Sequence, residues 1–461
     1  MEINFNEPKH VYFIGIGGIC MSGLASILLK EGFTVSGSDA KESDLTRKLE
    51  KEGANIYYGQ EVSHLSGCED LVVYTAAIKE DNPEFIKMRE LNLPSLTRAD
   101  FLGLLMKNYK TPIAVSGTHG KTTTSTMISE IFLKGNYDPT ITVGGVLNSI
   151  GQNIMVGGPD YFIFEACEYT NSFLSFFPKI SVILNIEEDH LDFFKDINDI
   201  RASFKRFAEL LPEDGLLVIN GEIPNISEIV KDIKCPYLTY GFDESNAIYA
   251  DNISFDELAH GSFTCHLDLD GEKESFGVTL GVTGRHNISN ALSAILVARY
   301  LGVPVDAIKE ALKECTGSKR RFEKKGVVNG ITIIDDYAHH PTEIKASLTA
   351  AKNYPHNKLY VVFQPHTYTR TKAFLPEFAE ALSIADKVIL TDVYAAREKD
   401  VYGCNTSNLY ELMKEKNCDV CYIKDFKEIE KYVLSNCTTG DLLITMGAGD
   451  VVNIADSLVS K

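Results

Sequence analysis

Ile113-Ala114-Val115-Ser116-Gly117-Thr118-His119-Gly120-Lys121-Thr122-Thr123 runs from a short apolar strand, through a glycine-flanked turn, into a helix expected over residues 122–133. Backbone N–H groups of such a turn point inward and can cradle phosphate oxygens at the positive end of the following helix. Lys121 adds a mobile cation for β- and γ-phosphates, and the Thr122 hydroxyl can ligate Mg2+. A full phosphate-loop pattern has another glycine five residues before Gly120. Val115 stands there and shortens the glycine-rich part. The strand–turn–helix context compensates, so residues 117–123 read as a nucleotide phosphate site rather than a tight turn with an exposed lysine.

Outward from this loop, the same alternation repeats. Before it, strands are expected at 11–16, 33–38 and 70–75, with helices at 21–31, 44–53 and 83–91. After it come strands at 161–164 and 181–186. A mostly β stretch at 214–283 carries the turn signals Asn220-Gly221 and Asp270-Gly271. A helix at 288–301 and a linker at 316–319 complete the unit. Strands at 331–334, 359–363, 387–391, 419–423 and 441–445 follow, again with helices between them. Strands alternating with helices imply parallel sheets covered on both faces. The fold class is therefore α/β, with three α/β domains in series. They are a Rossmann-like domain at 1–109, a central P-loop domain with an added β-rich part at 110–318, and a Rossmann-like domain at 319–461.

Composition agrees with this division. The 461 residues suit about three domains of roughly 150 residues each. The 44% hydrophobic and 24% charged content suits packed cores and excludes wholesale disorder. With 45 Lys+Arg against 64 Asp+Glu, the formal charge is −19, and the longest basic run is Lys319-Arg320-Arg321. A nucleic-acid partner is not expected on such a surface. Residues 11–29 lack charge, yet Gly15, Gly17, Gly18 and Gly23 interrupt them, so no membrane span is expected. Of ten cysteines, only Cys418 and Cys421 form a close pair, and the second pair of a zinc ribbon is missing. The opening Met1-Glu2-Ile3 lacks the basic stretch of a secretory signal. The expected protein is cytoplasmic, with reduced thiols, and a monomer or weak homodimer.

Other motifs fall at the carboxyl ends of expected strands, the edge where open parallel sheets bind ligands. Gly15-Ile16-Gly17-Gly18 makes the first strand-to-helix turn, with Cys20 where a dinucleotide fingerprint has glycine. Asp39, which closes the second strand, can hold a ribose hydroxyl. This pattern points to a pyrophosphate on a helix N-terminus, or to a purely structural turn. Glu165 and His190 can complete a Mg2+ shell, or else cap a helix and edge a core. In His286-Asn287-Ile288-Ser289-Asn290 the amides can pair with adenine, although the pattern alone favours a capping role. Asp335-Asp336-Tyr337-Ala338-His339-His340 and His366-Thr367-Tyr368-Thr369-Arg370 end two strands of the third unit. Adjacent histidines point apart, so zinc is not their natural ligand, whereas Arg370 suits a substrate carboxylate through a bidentate fork.

In their joint order these motifs resemble the Mur ligase family over nearly the whole chain. The discriminating pieces are Gly15 to Gly18 with Met21-Ser22-Gly23, Gly117 to Thr123, Asn185-Ile186-Glu187-Glu188-Asp189-His190, Gly284 to Asn287, Arg320-Arg321-Phe322 and Asp335 to Pro341. The resemblance implies ATP-dependent joining of L-alanine to the lactyl carboxylate of UDP-N-acetylmuramate through an acyl phosphate. The alternative is a sister activity attaching a preformed tripeptide. It implies UDP held by Gly15, Gly17, Gly18, Ile19 and Asp39. ATP would lie on Gly117, Thr118, His119, Gly120, Lys121, Thr122 and Thr123, with His286, Asn287, Asn290, Arg321 and Asp336. Mg2+ would sit on Thr122, Glu165 and His190, and L-alanine on Tyr337, His339 and Arg370. Lys121, His190, His339 and Arg370 would be the catalytic set, with His339 orienting or deprotonating the amine.

The chain departs from relatives at Gln60, where many have His, and at Thr367, where some have Arg. A carbamylated lysine bridges metals in several sister ligases, and Lys205 is a candidate by position only. Two other classes remain open on the residues alone: a nicotinamide-dependent oxidoreductase built on the first glycine turn, and a nucleotide-binding module without catalysis.

Overall fold

Runs such as Val11-Tyr12-Phe13-Ile14, whose side chains are all buried, form strands covered on both faces. The structure, a computed structural model, describes residues 3–7, 9–75, 78–396, 398–400 and 403–460, so Met1 and Glu2 lie outside the described residues. The first sheet contains β1 (His10–Ile14), β2 (Thr34–Asp39), β3 (Asn55–Tyr58), β4 (Leu71–Tyr74) and β5 (Ser95–Thr97). Its order is β3-β2-β1-β4-β5, parallel throughout. The order reverses beside β1, which places the Gly15 turn at the switch point.

The second sheet begins with β6 (Thr111–Ser116), β7 (Thr140–Leu147), β8 (Gln152–Met155), β9 (Tyr161–Glu165) and β10 (Ile180–Ile183). It continues with β11 (Leu216–Asn220), β12 (Tyr237–Gly241), β13 (Ile248–Phe255), β14 (His260–Leu269) and β15 (Glu272–Thr283). The order is β15-β14-β13-β12-β11-β10-β6-β9-β7-β8. β6 lies between β10 and β9, so the ends of all three converge on the phosphate loop. The expected β-rich stretch at 214–283 holds β11 and β12, parallel to their neighbours, with one short helix, Ile226–Val230, between them, and then the antiparallel extension β13 to β15.

The third sheet holds β16 (Glu323–Val328), β17 (Ile331–Asp336), β18 (Leu359–Phe363), β19 (Lys387–Leu390), β20 (Val420–Tyr422) and β21 (Leu442–Met446). Its order is β16-β17-β21-β18-β19-β20, with only β16 antiparallel. Asp335 and Asp336 belong to β17 itself rather than following it, because both register with β21.

Several elements differ from the expectation. β10 stops at Ile183, three residues short of the expected strand. Residues 316–319 are not a free linker, since Ser318 bridges Leu147 and the Lys319 N–H donates to Val146 O at 3.3 Å. Helix Arg98–Met106 was not foreseen, because its buried residues leave no polar stripe to reveal a helical period. Helix Ile197–Ala208 carried a legible signal, the Asp196 side chain accepting from the N–H groups of Asn198 and Asp199. All ten cysteines are free thiols. Among the described residues, no helix is long and apolar enough to cross a membrane.

Candidate active site

The phosphate loop is laced to the strand beside it. The His119 N–H donates to Asn185 Oδ1 at 2.8 Å, and Asn185 Nδ2 donates to His119 O at 3.1 Å. The Thr118 hydroxyl accepts from the Glu187 N–H at 2.9 Å. Gly120 has φ +86°, and a Cβ there would stand 2.8 Å from Asn290 Oδ1, so only glycine lets the loop turn into helix Lys121–Lys134. The Lys121 ammonium folds onto Gly117 O, onto Thr118 O at 3.1 Å and onto Glu168 Oε2 at 3.0 Å. Burial disfavours its charge, but Glu168 outweighs that and holds its pKa above the ordinary range. Glu168 is 3% exposed and was not singled out from sequence, although it follows Glu165 by three residues.

Of the proposed metal residues, Thr122 follows Lys121 in the helix, and Glu165 and His190 lie near enough to interact with the Lys121 charge. Glu165 Oε1 accepts from the Gly144 N–H at 2.6 Å and faces the Ser125 hydroxyl at 3.4 Å. His190, in the left-handed region at φ +53°, stacks on Tyr169 at 4.4 Å. Its Nε2 lies 3.9 Å from Glu168 Oε1. Burial lowers its pKa, which favours the neutral imidazole a metal requires. Thr122 is buried in the first helical turn. Hydroxyl and carboxylate oxygens with one neutral imidazole fit Mg2+. Lys205 does not join them, because it pairs with Asp232 on the surface, and that hydrogen bond raises its pKa. A carbamate needs a neutral amine.

A cavity of about 660 Å³ opens between the central and C-terminal domains. It brings His119, Gly120, Thr123, His286, Asn287, Asn290, Arg321 and Asp336 into one wall, matching eight of the residues expected around ATP. Gly117, Thr118, Lys121 and Thr122 are not among its lining residues. The volume suits a nucleotide. Asn287 Nδ2 donates to Thr283 O at 2.7 Å and Asn290 Nδ2 to Asn287 Oδ1 at 2.9 Å. Each amide thus spends one N–H on the helix start, and the Asn290 amide group stands against the Gly120 turn. Burial raises the Asp336 pKa to about 6, against Ser347 and Arg321.

Other expected roles shift. Arg370 does not present a free fork, because its Nε and Nη2 donate to Asp189 Oδ1 at 3.1 and 2.8 Å. Both side chains are under a tenth exposed, and a carboxylate from the central domain thus fills the place expected for the amino-acid carboxylate. His339 is unsuited to deprotonate an amine, since burial pushes its pKa to about 3. Its Nδ1 faces Tyr337 O at 3.0 Å. The Tyr337 ring lies against Arg321, 5.1 Å from the guanidinium carbon.

The Gly15 turn spends its own donors internally. Gly15 and Ile16 N–H donate to Ser38 O, Gly17 N–H to Asp39 Oδ2 at 2.9 Å and Gly18 N–H to Gly15 O. One Asp39 oxygen is thus already held by the loop. The anion-binding donors left are those in the first turn of helix Ile19–Lys30. Ile19 is half exposed there, facing the β8 residue Asn153, whose amide reaches Ile19 O at 3.4 Å. Gln60 accepts from the Asn82 amide.

One group of three ligand-type side chains, His119, Glu187 and His340, comes within 4.8 Å among the described residues. It is a poor metal site. His340 Nδ1 accepts from the Thr342 N–H at 3.3 Å, so Nε2 carries the proton and donates to Glu188 O at 3.1 Å.

Comparison with known proteins identifies the family. Residues 10–110 match the family profile "Mur ligase family, catalytic domain", 115–298 "Mur ligase middle domain" and 320–449 "Mur ligase, glutamate ligase domain". The chain is 55% identical to a UDP-N-acetylmuramate–L-alanine ligase of Agathobacter rectalis, covering 100% of both chains. It is 54% identical to one of Lachnospira eligens, covering 99% of each. The crystal structure of the UDP-N-acetylmuramate-alanine ligase of Thermotoga maritima superposes with a TM-score of 0.80 at 29% identity, over 98% of both chains. A murein peptide ligase of Psychrobacter arcticus gives 0.71 at 26%, also over 98% of both. With three consecutive domain matches and full-length relatives above half identity, the chain belongs to the Mur ligase family.

Proposed function

We propose that this protein joins L-alanine to the lactyl carboxylate of UDP-N-acetylmuramate, converting ATP to ADP and phosphate. The observation that carries the reading is the 55% identity, end to end, with a relative bearing that activity in its name. The ATP-cavity wall and the Lys121 cluster supply the chemistry. A carboxylate is a poor electrophile, so its oxygen first attacks the γ-phosphorus and ADP leaves. The amine of L-alanine then attacks the acyl carbon, phosphate departs with the bonding pair, and the nitrogen loses a proton.

Two anions meet in the first step. Lys121, moving from Glu168 to the phosphates, and the N-terminus of helix Lys121–Lys134 offset their repulsion. Mg2+, held by Thr122, Glu165 and His190, would supply further charge neutralisation. Asp336 would take the ribose and Asn290 the adenine side. The UDP diphosphate would sit on the first turn of helix Ile19–Lys30. Tyr337 and His339 would orient L-alanine, and the amino-acid carboxylate reaches Arg370 only by releasing Asp189. In this reading the enzyme works in the cytoplasm, as a monomer or weak homodimer, without nucleic-acid or membrane partners.

The test combines protein, ATP, Mg2+ and UDP-N-acetylmuramate with L-alanine, glycine, L-serine or a preformed tripeptide, and reads products by mass. Phosphate release and product are expected with L-alanine and require the UDP-sugar acid. Release without an amino acid, or preference for the tripeptide, overturns the reading in favour of another class or of the sister activity.

A further inference from the structure

The His119 side chain leaves its own domain's loop to meet the C-terminal domain. Its Nδ1 stands 3.1 Å from Glu343 Oε1, and its Nε2 stands 3.6 Å from Glu187 Oε2. Glu343 lies at the third position of helix Pro341–Ala351 in the C-terminal domain. Its other oxygen accepts from the His339 N–H at 3.1 Å, which fixes the carboxylate in place. Glu187 belongs to the central domain, and its Oε2 accepts from the Thr342 hydroxyl at 2.8 Å. Among the described residues His119 Nε2 is buried without a hydrogen-bond partner, so its proton is held by the charge of Glu187 while Nδ1 faces Glu343.

We infer that Glu343 is a positioning residue for nucleotide binding: through the His119 imidazolium it clamps the docked C-terminal domain onto the phosphate loop. The inference rests on the proposed ATP site. The His119 peptide is locked on both sides by Asn185, so a force on its ring is a force on the Gly120 turn. The same docking brings Arg321 and Asp336 into the cavity shared with Gly120. Opening the clamp therefore removes two C-terminal groups from the nucleotide.

The groups facing His119 fix the sign of its pH response. They are Glu343, Glu187, the Arg321 guanidinium 4.0 Å from Glu343, and His340, whose ring centre lies 4.6 Å away. Burial lowers the His340 pKa to about 4, so it is neutral at working pH. Burial also works against charge on His119, but Glu343 and Glu187 outweigh it and hold the pKa at about 9. The folded value lies above the ordinary histidine range. The clamp is thus fully present below about pH 6.5 and is lost as pH rises through about 9.

The test is ATP affinity by titration calorimetry on the full chain, without the sugar acid or amino acid, from pH 7 to 10. Wild-type affinity is expected to fall by about tenfold across this range. Glu343→Gln keeps the cap and loses the charge. It is expected to bind about tenfold more weakly at pH 7 and to converge with wild type at pH 10. Small-angle scattering should find Glu343→Gln at pH 7 already as expanded as wild type at pH 10. A deficit equal at both pH values would mean a merely structural role and overturn the inference. So would a flat wild-type series, which needs no variant to fold. Absence of any ATP binding would instead sink the proposed function itself.

Discussion

Lys121 sits where two opposing demands meet. Its ammonium is buried, and burial alone would strip its proton, yet the Glu168 carboxylate at 3.0 Å keeps it charged. The charge is therefore stored next to where the triphosphate would arrive. Replacing Lys121 by Met is expected to cut turnover by about a hundredfold or more, as removal of a preorganised charge does, while leaving far-ultraviolet circular dichroism unchanged. Asp336 works in the opposite sense. Burial raises its pKa to about 6, so in the proposed ribose contact it accepts as a full carboxylate only above that pH. ATP affinity measured by calorimetry should fall as pH drops below about 6, and Asp336→Asn should remove that acid limb. Asp189 is held well below the usual carboxylate range: burial opposes its charge, and Arg370 overcomes it. Its stabilising contribution is present above the unfolded carboxylate pKa and is lost on acidification.

At the scale of elements, close approach decides which helix faces which hairpin. Helix Ile19–Lys30 lies on β7 and β8, and Gly23 allows it, because a Cβ there would fall 1.5 Å from Ile154 Cδ1. Gly23→Ala is expected to cost about 1–3 kcal/mol in urea unfolding through overpacking. Adding Ile154→Val should recover part of it, since the displaced atom is the end of a side chain. The loop at 187–190 is the second such contact. Glu187 takes Thr342, Glu188 O takes His340 and Asp189 takes Arg370, so the C-terminal domain grips the segment that presents His190. Asp189→Ala leaves a buried guanidinium unpaired, at about 3–5 kcal/mol. Because that pair spans two domains, calorimetric melting should split into two transitions, with the C-terminal domain released first.

For the whole molecule, the division of labour is between strand ends and domain docking. Three α/β units were legible, because continuous apolar strands and intervening helices leave a period that needs no tertiary knowledge, whereas strands β7 and β8 and their antiparallel pairing were not. The turn at 117–123 was legible for the same reason, as glycine, lysine and threonine at fixed offsets serve a local backbone geometry. Helix Arg98–Met106, buried and without a polar stripe, left no such trace. Neither did the partners of Arg370 and His119. Arg370 read as a free carboxylate fork, and what fills the fork is Asp189, 181 residues away in the chain. His119 read as one more loop residue, and its charge depends on Glu343, 224 residues away. The amino-acid sequence by itself thus determined the three α/β units, their order and the strand–turn–helix around residues 117–123, since these follow from local propensity, burial pattern and short-range spacing. Only the tertiary structure decided which ionisable groups face one another across the domain boundary, because protonation and pairing are set by distance and desolvation, which the linear order of residues does not encode.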